Sequence, residues 1–182
     1  MFRFQPVHRV HAALVAAMSA RADEVVLGVG SADTYDARNP FSYEERVEML
    51  AALGHDNLVV VPIPDLHDGP RWGALVRERL GPLERLVAAN GYVRRLLGET
   101  YRLSHPLELI PPSPVSGSRV RAALARGDDW QALVPASVAA LIEARGLDRR
   151  VRREFGAVLN AQGLAAPGAA ASTEENDHVR VG

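Results

Sequence analysis

Short β-branched runs alternating with amphipathic stretches mark this chain as α/β, a parallel sheet wrapped by helices in right-handed crossovers. Two observations carry that assignment. After their polar first residues, the runs Glu24–Gly30 and Asn57–Val61 are continuously apolar rather than alternating, as strands covered on both faces are. Each is followed by a helical pattern, Ser42 to about Leu53 and about Trp72 to Leu80.

Taken in order, His8 and His11 open the amphipathic run Ala12–Met18, which reads as the first helix. A polar loop, Ser31 to Asn39, follows the first strand. Ser42 with Glu45 forms a capping box for the second helix. Pro62 and Pro64 break the second strand, and a loop from Asp65 to Pro70 leads to the third helix. Leu83–Ala88 is predicted as a strand, Gly91–Leu97 as a short helix and Pro106–Ile110 as another strand. Prolines 111, 112 and 114 forbid helix before Val115, so the next one is predicted over Val120–Ala125. Val134–Ala144 and about Arg149–Leu159 complete a helical C-terminal part. One domain is expected over 1–160 and an Ala/Gly-rich, then acidic, disordered tail over 161–182.

Composition narrows the chemistry. The chain has 182 residues, 47% of them hydrophobic, and a net charge of −1. That excludes the broad basic field of a nucleic-acid binder. No apolar run reaches the roughly eighteen residues a membrane span needs, and no secretory signal opens the chain, so a cytoplasmic protein with neither nucleic-acid nor membrane partner is expected. There is no cysteine, hence no disulfide and no thiolate nucleophile. All 21 basic residues are arginine, so phosphate must be held by Arg, His and backbone N–H rather than by lysine.

Two helix starts can do that. His8 and His11, three residues apart, lie on one face of a first turn whose N–H groups lack internal partners, with Arg3 close by in sequence. Such donors suit an anion, phosphate being the commonest. The plainer reading is a solvated helix start. The segment Ser116-Gly117-Ser118 with Arg121 one turn on repeats the arrangement, and its plainer reading is an N-capped helix bearing a surface arginine. Each alone is weak, and the combination is far more specific.

The motifs together resemble the HxGH nucleotidylyltransferases, most of all the archaeal-type nicotinamide-nucleotide adenylyltransferases. Phe2 to His11 resembles that family's G-R-F-Q-P-x-H-x-G-H, and Gly28-Val29-Gly30-Ser31-Ala32 its G-I-G-S-A. Asn39-Pro40-Phe41-Ser42 with Glu45-Arg46, Val61-Pro62-Ile63-Pro64-Asp65 with Trp72, Asn90–Leu97, Ser116–Arg121, and Asp129-Trp130 with Val134–Val138 follow in the family's order.

The resemblance implies a Rossmann-like sheet of order 3-2-1-4-5 that transfers AMP from ATP to nicotinamide mononucleotide (NMN), giving NAD and pyrophosphate. It assigns His8, His11 and Arg121 to catalysis. Arg3, Phe4, Gln5, Pro6, Ser116, Gly117, Ser118 and Arg121 are assigned to ATP. Gly30, Ser31, Arg46, Asp65, Trp72 and Asn90 are assigned to the mononucleotide. Trp72 reads equally as core packing, Arg46 as a solvated charge and Asp65 as a turn residue. Mg²⁺ is expected with ATP, held by phosphates and water rather than by a protein metal site, and a homo-oligomer is implied.

Two departures bear on that implication. Val10 replaces the glycine between the family's histidines, which crowds a spot where backbone and nucleotide approach closely and predicts weaker ATP binding or a local shift that accommodates the side chain. The family's first strand lies just upstream of the Phe2–His11 segment, so the chain is expected to lack most of it, and a natural start about six to ten residues upstream, one strand's length, is the favoured explanation. A different phosphate acceptor (FMN or phosphopantetheine) and an inactive nucleotide-binding homologue are the alternatives.

Overall fold

The computed structural model describes residues 1–164. The remainder of the expected tail, 165–182, lies outside the described residues. Helix α1 (Arg9–Ser19) precedes strand β1 (Val25–Gly30), then come α2 (Tyr43–Ala51), β2 (Leu58–Ile63), α3 (Gly69–Leu80) and β3 (Leu86–Val87). After them run α4 (Gly91–Leu97), β4 (Leu103–Ser104), α5 (Gly117–Arg126), α6 (Ala136–Ala144) and α7 (Leu147–Leu164).

β1 and β2 pair in parallel over six residues each, Val25 against Leu58 through Gly30 against Ile63. β3 and β4 form a second parallel pair. Met1 and Phe2 stand between the two pairs. The Phe2 N–H donates to the Gly28 carbonyl (3.1 Å) and the Gly30 N–H donates to the Phe2 carbonyl (3.0 Å). The Met1 nitrogen donates to the Val87 carbonyl (3.0 Å). The order across the molecule is therefore β2-β1-(Met1–Phe2)-β3-β4, the expected 3-2-1-4-5 with two residues in the central place. Gly28 makes this possible: a Cβ there would meet the Met1 side chain at 3.1 Å and Leu80 at 3.2 Å.

Period-two alternation sends the two faces of β1 into different cores. Val25, Leu27 and Val29 join Phe4, Val7, Leu14, Phe41, Leu50, Leu124, Ile142 and Val151 in the larger cluster. Val26 packs with Ile63, Trp72, Val76, Leu80, Val93 and Leu97 in the smaller one. β2 is an edge strand, which is why it tolerates Pro62.

The strand expected over Pro106–Ile110 is corrected. Pro106–Glu108 is a 3-10 turn, and the strand is the two residues before His105. Proline has no N–H for a ladder, while the His105 Nδ1 accepts from the Leu107 N–H (3.2 Å) and the Glu108 carboxylate from the His105 N–H (2.6 Å). The strand expected over Leu83–Ala88 shortens to Leu86–Val87. α5 starts three residues before Val120, because Ser116 caps it by accepting from the Arg119 N–H (3.3 Å).

Candidate active site

The loop Arg3–Val7 joins the central residues to α1 and is almost wholly buried. Phe4 adopts φ 55° and Ser31, just past β1, φ 48°. Both are left-handed conformations that side chains with a Cβ rarely take, and such strain persists only where the surroundings impose it.

Arg46 on α2 imposes it. Its guanidinium is fully buried and donates to the carbonyls of Arg3 (2.9 Å), Gly30 (2.8 Å), Ser31 (3.0 Å) and Ser42 (3.1 Å). Two of those acceptors, Arg3 and Gly30, immediately precede the strained residues, and a third is Ser31 itself. Burial pulls Arg46 down to about 10, so it stays protonated at neutral pH. A capped helix that could have carried a solvated charge instead carries a fastener. The sequence places Arg46 at a substrate phosphate; the structure directs the donors above into the protein's own backbone.

Gln5 is the second fixed point. Its side chain donates to the Phe41 carbonyl (2.8 Å) and accepts from the Phe41 N–H (3.0 Å). Its backbone carbonyl accepts from Arg121 Nη1 (2.8 Å). A Cβ on Gly117 would stand 3.1 Å from that same carbonyl, so the start of α5 needs glycine to come this close. The two helix starts singled out in the sequence thus meet across the Gln5–Pro6 peptide, which is cis.

At the α1 end the His8 and His11 rings stack, 3.7 Å between centroids and 20° apart in plane. Phe4 and Phe2 wall the other side of His11, at 4.8 and 5.7 Å. His11 Nδ1 accepts from the His8 N–H (3.4 Å), which fixes His11 as a first-turn cap. His8 Nδ1 is buried and has no hydrogen-bond partner among the described residues. Burial, and secondarily the charge of Arg121, lowers His8 to about 4. Burial and then neighbouring His8 drive His11 well below the usual imidazole range. At neutral pH both rings are neutral, and a hydrogen bond to the Pro6 backbone partly opposes the shift on His11.

Ser116, Gly117 and Ser118 are half-buried at the start of α5, and Arg121 is buried. Ser116 contributes to the helix as its cap. Val10, half-buried, lines an apolar cleft of about 140 Å³ with Arg9, Ala13 and residues 110–113. The cleft separates the start of α1 from the segment entering α5.

The mononucleotide residues are more dispersed. Gly30 and Ser31 end β1 beside Arg46. Asp65 is exposed; its carboxylate accepts from the Thr34 hydroxyl (3.5 Å) and its N–H donates to Asp33 (3.0 Å). Asn90 caps α4, its side-chain oxygen accepting from the Tyr92 and Val93 N–H groups (2.8 and 3.2 Å). Trp72 belongs to the smaller core, 9% exposed and 6.2 Å from the Tyr92 ring, with little face left for a stacked ligand. Among the described residues, no three of His, Asp and Glu group as a metal site, and no helix is long and apolar enough to cross a membrane.

Comparison with known proteins then decides the family. The model of the Cytidylyltransferase-like family matches residues 3–123. The chain belongs to that family. Within it, nicotinamide-nucleotide adenylyltransferase of Halobacterium salinarum is 37% identical over 152 residues, 81% of this chain and 86% of the relative. The Methanolobus tindarius enzyme of the same name is 34% identical over 152 residues, 81% of this chain and 88% of the relative. The fold is shared with a bifunctional NMN adenylyltransferase/ADP ribose pyrophosphatase from Francisella tularensis, crystallised with AMP and a manganese ion. That likeness has a TM-score of 0.71 at 18% identity, covers 92% of this chain and spans only 56% of that longer protein.

Proposed function

We propose that the protein is a nucleotidyltransferase that transfers AMP from ATP to NMN, forming NAD and releasing pyrophosphate. The observation that carries this reading is the meeting of the buried imidazole pair with Gly117 and Arg121 over one peptide. Kinship with adenylyltransferases of that name supplies the substrates.

An oxygen of the NMN phosphate forms a bond to the α-phosphorus of ATP, and the bond from that phosphorus to the bridging oxygen breaks. The electron pair leaves with pyrophosphate. The nucleophile is already an anion, so no side-chain base is required, and catalysis reduces to positioning and charge stabilisation. His8 and His11 donate N–H to the α/β-phosphate oxygens as charge develops on the leaving group. Arg121, Ser118 and the first-turn N–H groups of α5 hold the β/γ end, with Arg3 completing the ring of donors. The flat adenine suits the apolar cleft beside Val10. Mg²⁺ enters with ATP, held by phosphate and water. Gly30, Ser31, Asp65 and Asn90 border the acceptor's side, while Trp72 backs it from the core. A cytoplasmic location is part of the same reading, and light scattering on the purified chain checks the homo-oligomer that kinship suggests.

Pyrophosphate release from Mg-ATP, compared across NMN, its acid form, FMN and phosphopantetheine, tests the reading. Turnover with NMN is expected. Turnover only with FMN or phosphopantetheine would reassign the acceptor, and none with any of the four would leave a nucleotide-binding protein without this activity.

A further inference from the structure

We propose that Arg150, on α7, is a positioning residue for the nucleotide site, acting through Glu45 and the Pro40–Phe41 backbone. The inference rests on the reaction proposed above for its kinetic readout, and its binding readout is independent of turnover. Arg150 lies outside residues 3–123 and is 105 residues from its partner in sequence.

Its guanidinium forks onto Glu45: Nη2 donates to Oε2 at 2.7 Å and Nη1 donates to Oε1. Nη2 also donates to the Pro40 carbonyl (2.8 Å), and Cζ stands 5.7 Å from the centre of the Tyr35 ring. Glu45 is nearly buried, and its Oε2 accepts from the Ser42 N–H (3.0 Å) as well. A forked, charge-assisted pair with one partner out of water is a directional contact, unlike a surface ion pair.

What the fork fixes is the peptide entering Phe41. Phe41 makes both hydrogen bonds to the Gln5 side chain, and the Gln5 carbonyl receives Arg121. An unbroken line of polar contacts therefore runs from α7 through residues 40–41 and Gln5 to the guanidinium that faces the triphosphate. The exposed pair between Arg145 and Glu48 also ties the C-terminal helices to α2; Arg145 brings a positive charge like that of Arg150 near Glu45 without a hydrogen bond to this line, and so serves as the control for charge alone.

The test compares Arg150→Ala, Arg150→Lys and Arg145→Ala with the parent protein, well below each melting temperature. For Arg150→Ala the expected result is a KM for ATP, and a calorimetric Kd for Mg-ATP, raised about tenfold with kcat changed less than about threefold. Amide exchange at residue 41 speeds up in the same variant. Lysine restores little, because a point charge cannot fork, whereas added guanidinium ion restores part of the ATP affinity. Arg145→Ala leaves KM and Kd unchanged. Should Arg150→Ala not fold, Arg150→Gln removes the fork while keeping one donor and is read the same way. A lower melting temperature with unaltered ATP affinity and unaltered exchange at residue 41 would overturn the inference. Failure of the parent to turn over NMN while still binding ATP counts against the reaction alone.

Discussion

Helices α1 and α5 present their N-termini to the same ground and are held there in opposite ways. The α1 end is locked from beneath: its approach loop is buried, Phe4 and Ser31 are bent into left-handed backbone, and Arg46 fastens the carbonyls around them. The α5 end follows an exposed proline-rich segment, and the Ser116 cap and the contact of Arg121 with Gln5 are among its links. Stiffness is thus concentrated at the end to which the proposed reaction assigns the α-phosphate. The end assigned to the departing pyrophosphate is more open to solvent. A site that must both orient its substrate and release a triply charged product gains from that division.

The sharpest way to break the contrast is chemical. Replacing His11 by Ala or Arg121 by Ala is expected to lower kcat/KM by about a hundredfold or more, as removal of one charge-stabilising donor does. If either substitution leaves steady-state rates within a fewfold of the parent, the two ends do not share one triphosphate. Next comes stability. Arg46→Leu removes the buried partner of the Arg3, Gly30, Ser31 and Ser42 carbonyls and is expected to cost about 3–4 kcal/mol in urea unfolding. Ser116→Ala, at the looser end, is expected to cost about 1 kcal/mol. Equal costs would erase the distinction between a locked and an open end.

Acid probes the locked end specifically. His8 is held near 4 in the folded protein, against about 6.5 when unfolded, so between those values the unfolded chain binds the proton that the folded site rejects. Stability contributed by the neutral pair is complete above pH 6.5 and declines as pH falls toward 4, by on the order of 3 kcal/mol for His8. Urea melts across that range, repeated with His8→Gln, check it: the glutamine variant should show the shallower acid limb. Proton uptake accompanying ATP binding near pH 5–6 is the matching calorimetric sign, since phosphate charge raises both imidazoles. The smallest effect is expected at Val10. Val10→Gly opens the wall of the apolar cleft and should tighten ATP binding a fewfold, while costing the helix about 1 kcal/mol. Unchanged affinity would remove the adenine from that cleft.

Local signals in the sequence survive intact in the structure. The Ser42–Glu45 capping box forms with both bonds, the histidines stack at the start of α1, and Ser116 opens α5. Three residues apart on a helix, side chains must be neighbours, so spacing alone sufficed. Long-range pairings left no such trace. Nothing in the letters joins Gln5 to Phe41 or Arg150 to Glu45, because those contacts depend on how loops are laid over the sheet. The motif resemblance marked Arg46 for the mononucleotide, while its ring of buried backbone carbonyls emerges only once β1 and the Arg3–Val7 loop lie side by side. The strand expected at Pro106–Ile110 failed for a local reason, since a proline and two capping side chains turned the chain early. Trp72 packs in the smaller cluster with Tyr92 and Tyr101, a placement no local pattern in the sequence reveals.

The buried guanidinium on α2 also limits how this scaffold can be re-engineered. Because one side chain joins the approach to the first helix with the exit of the first long strand, neither can be redrawn separately. A designer seeking a new acceptor must recruit other positions around the rim, treating those clasped peptides as an immovable foundation.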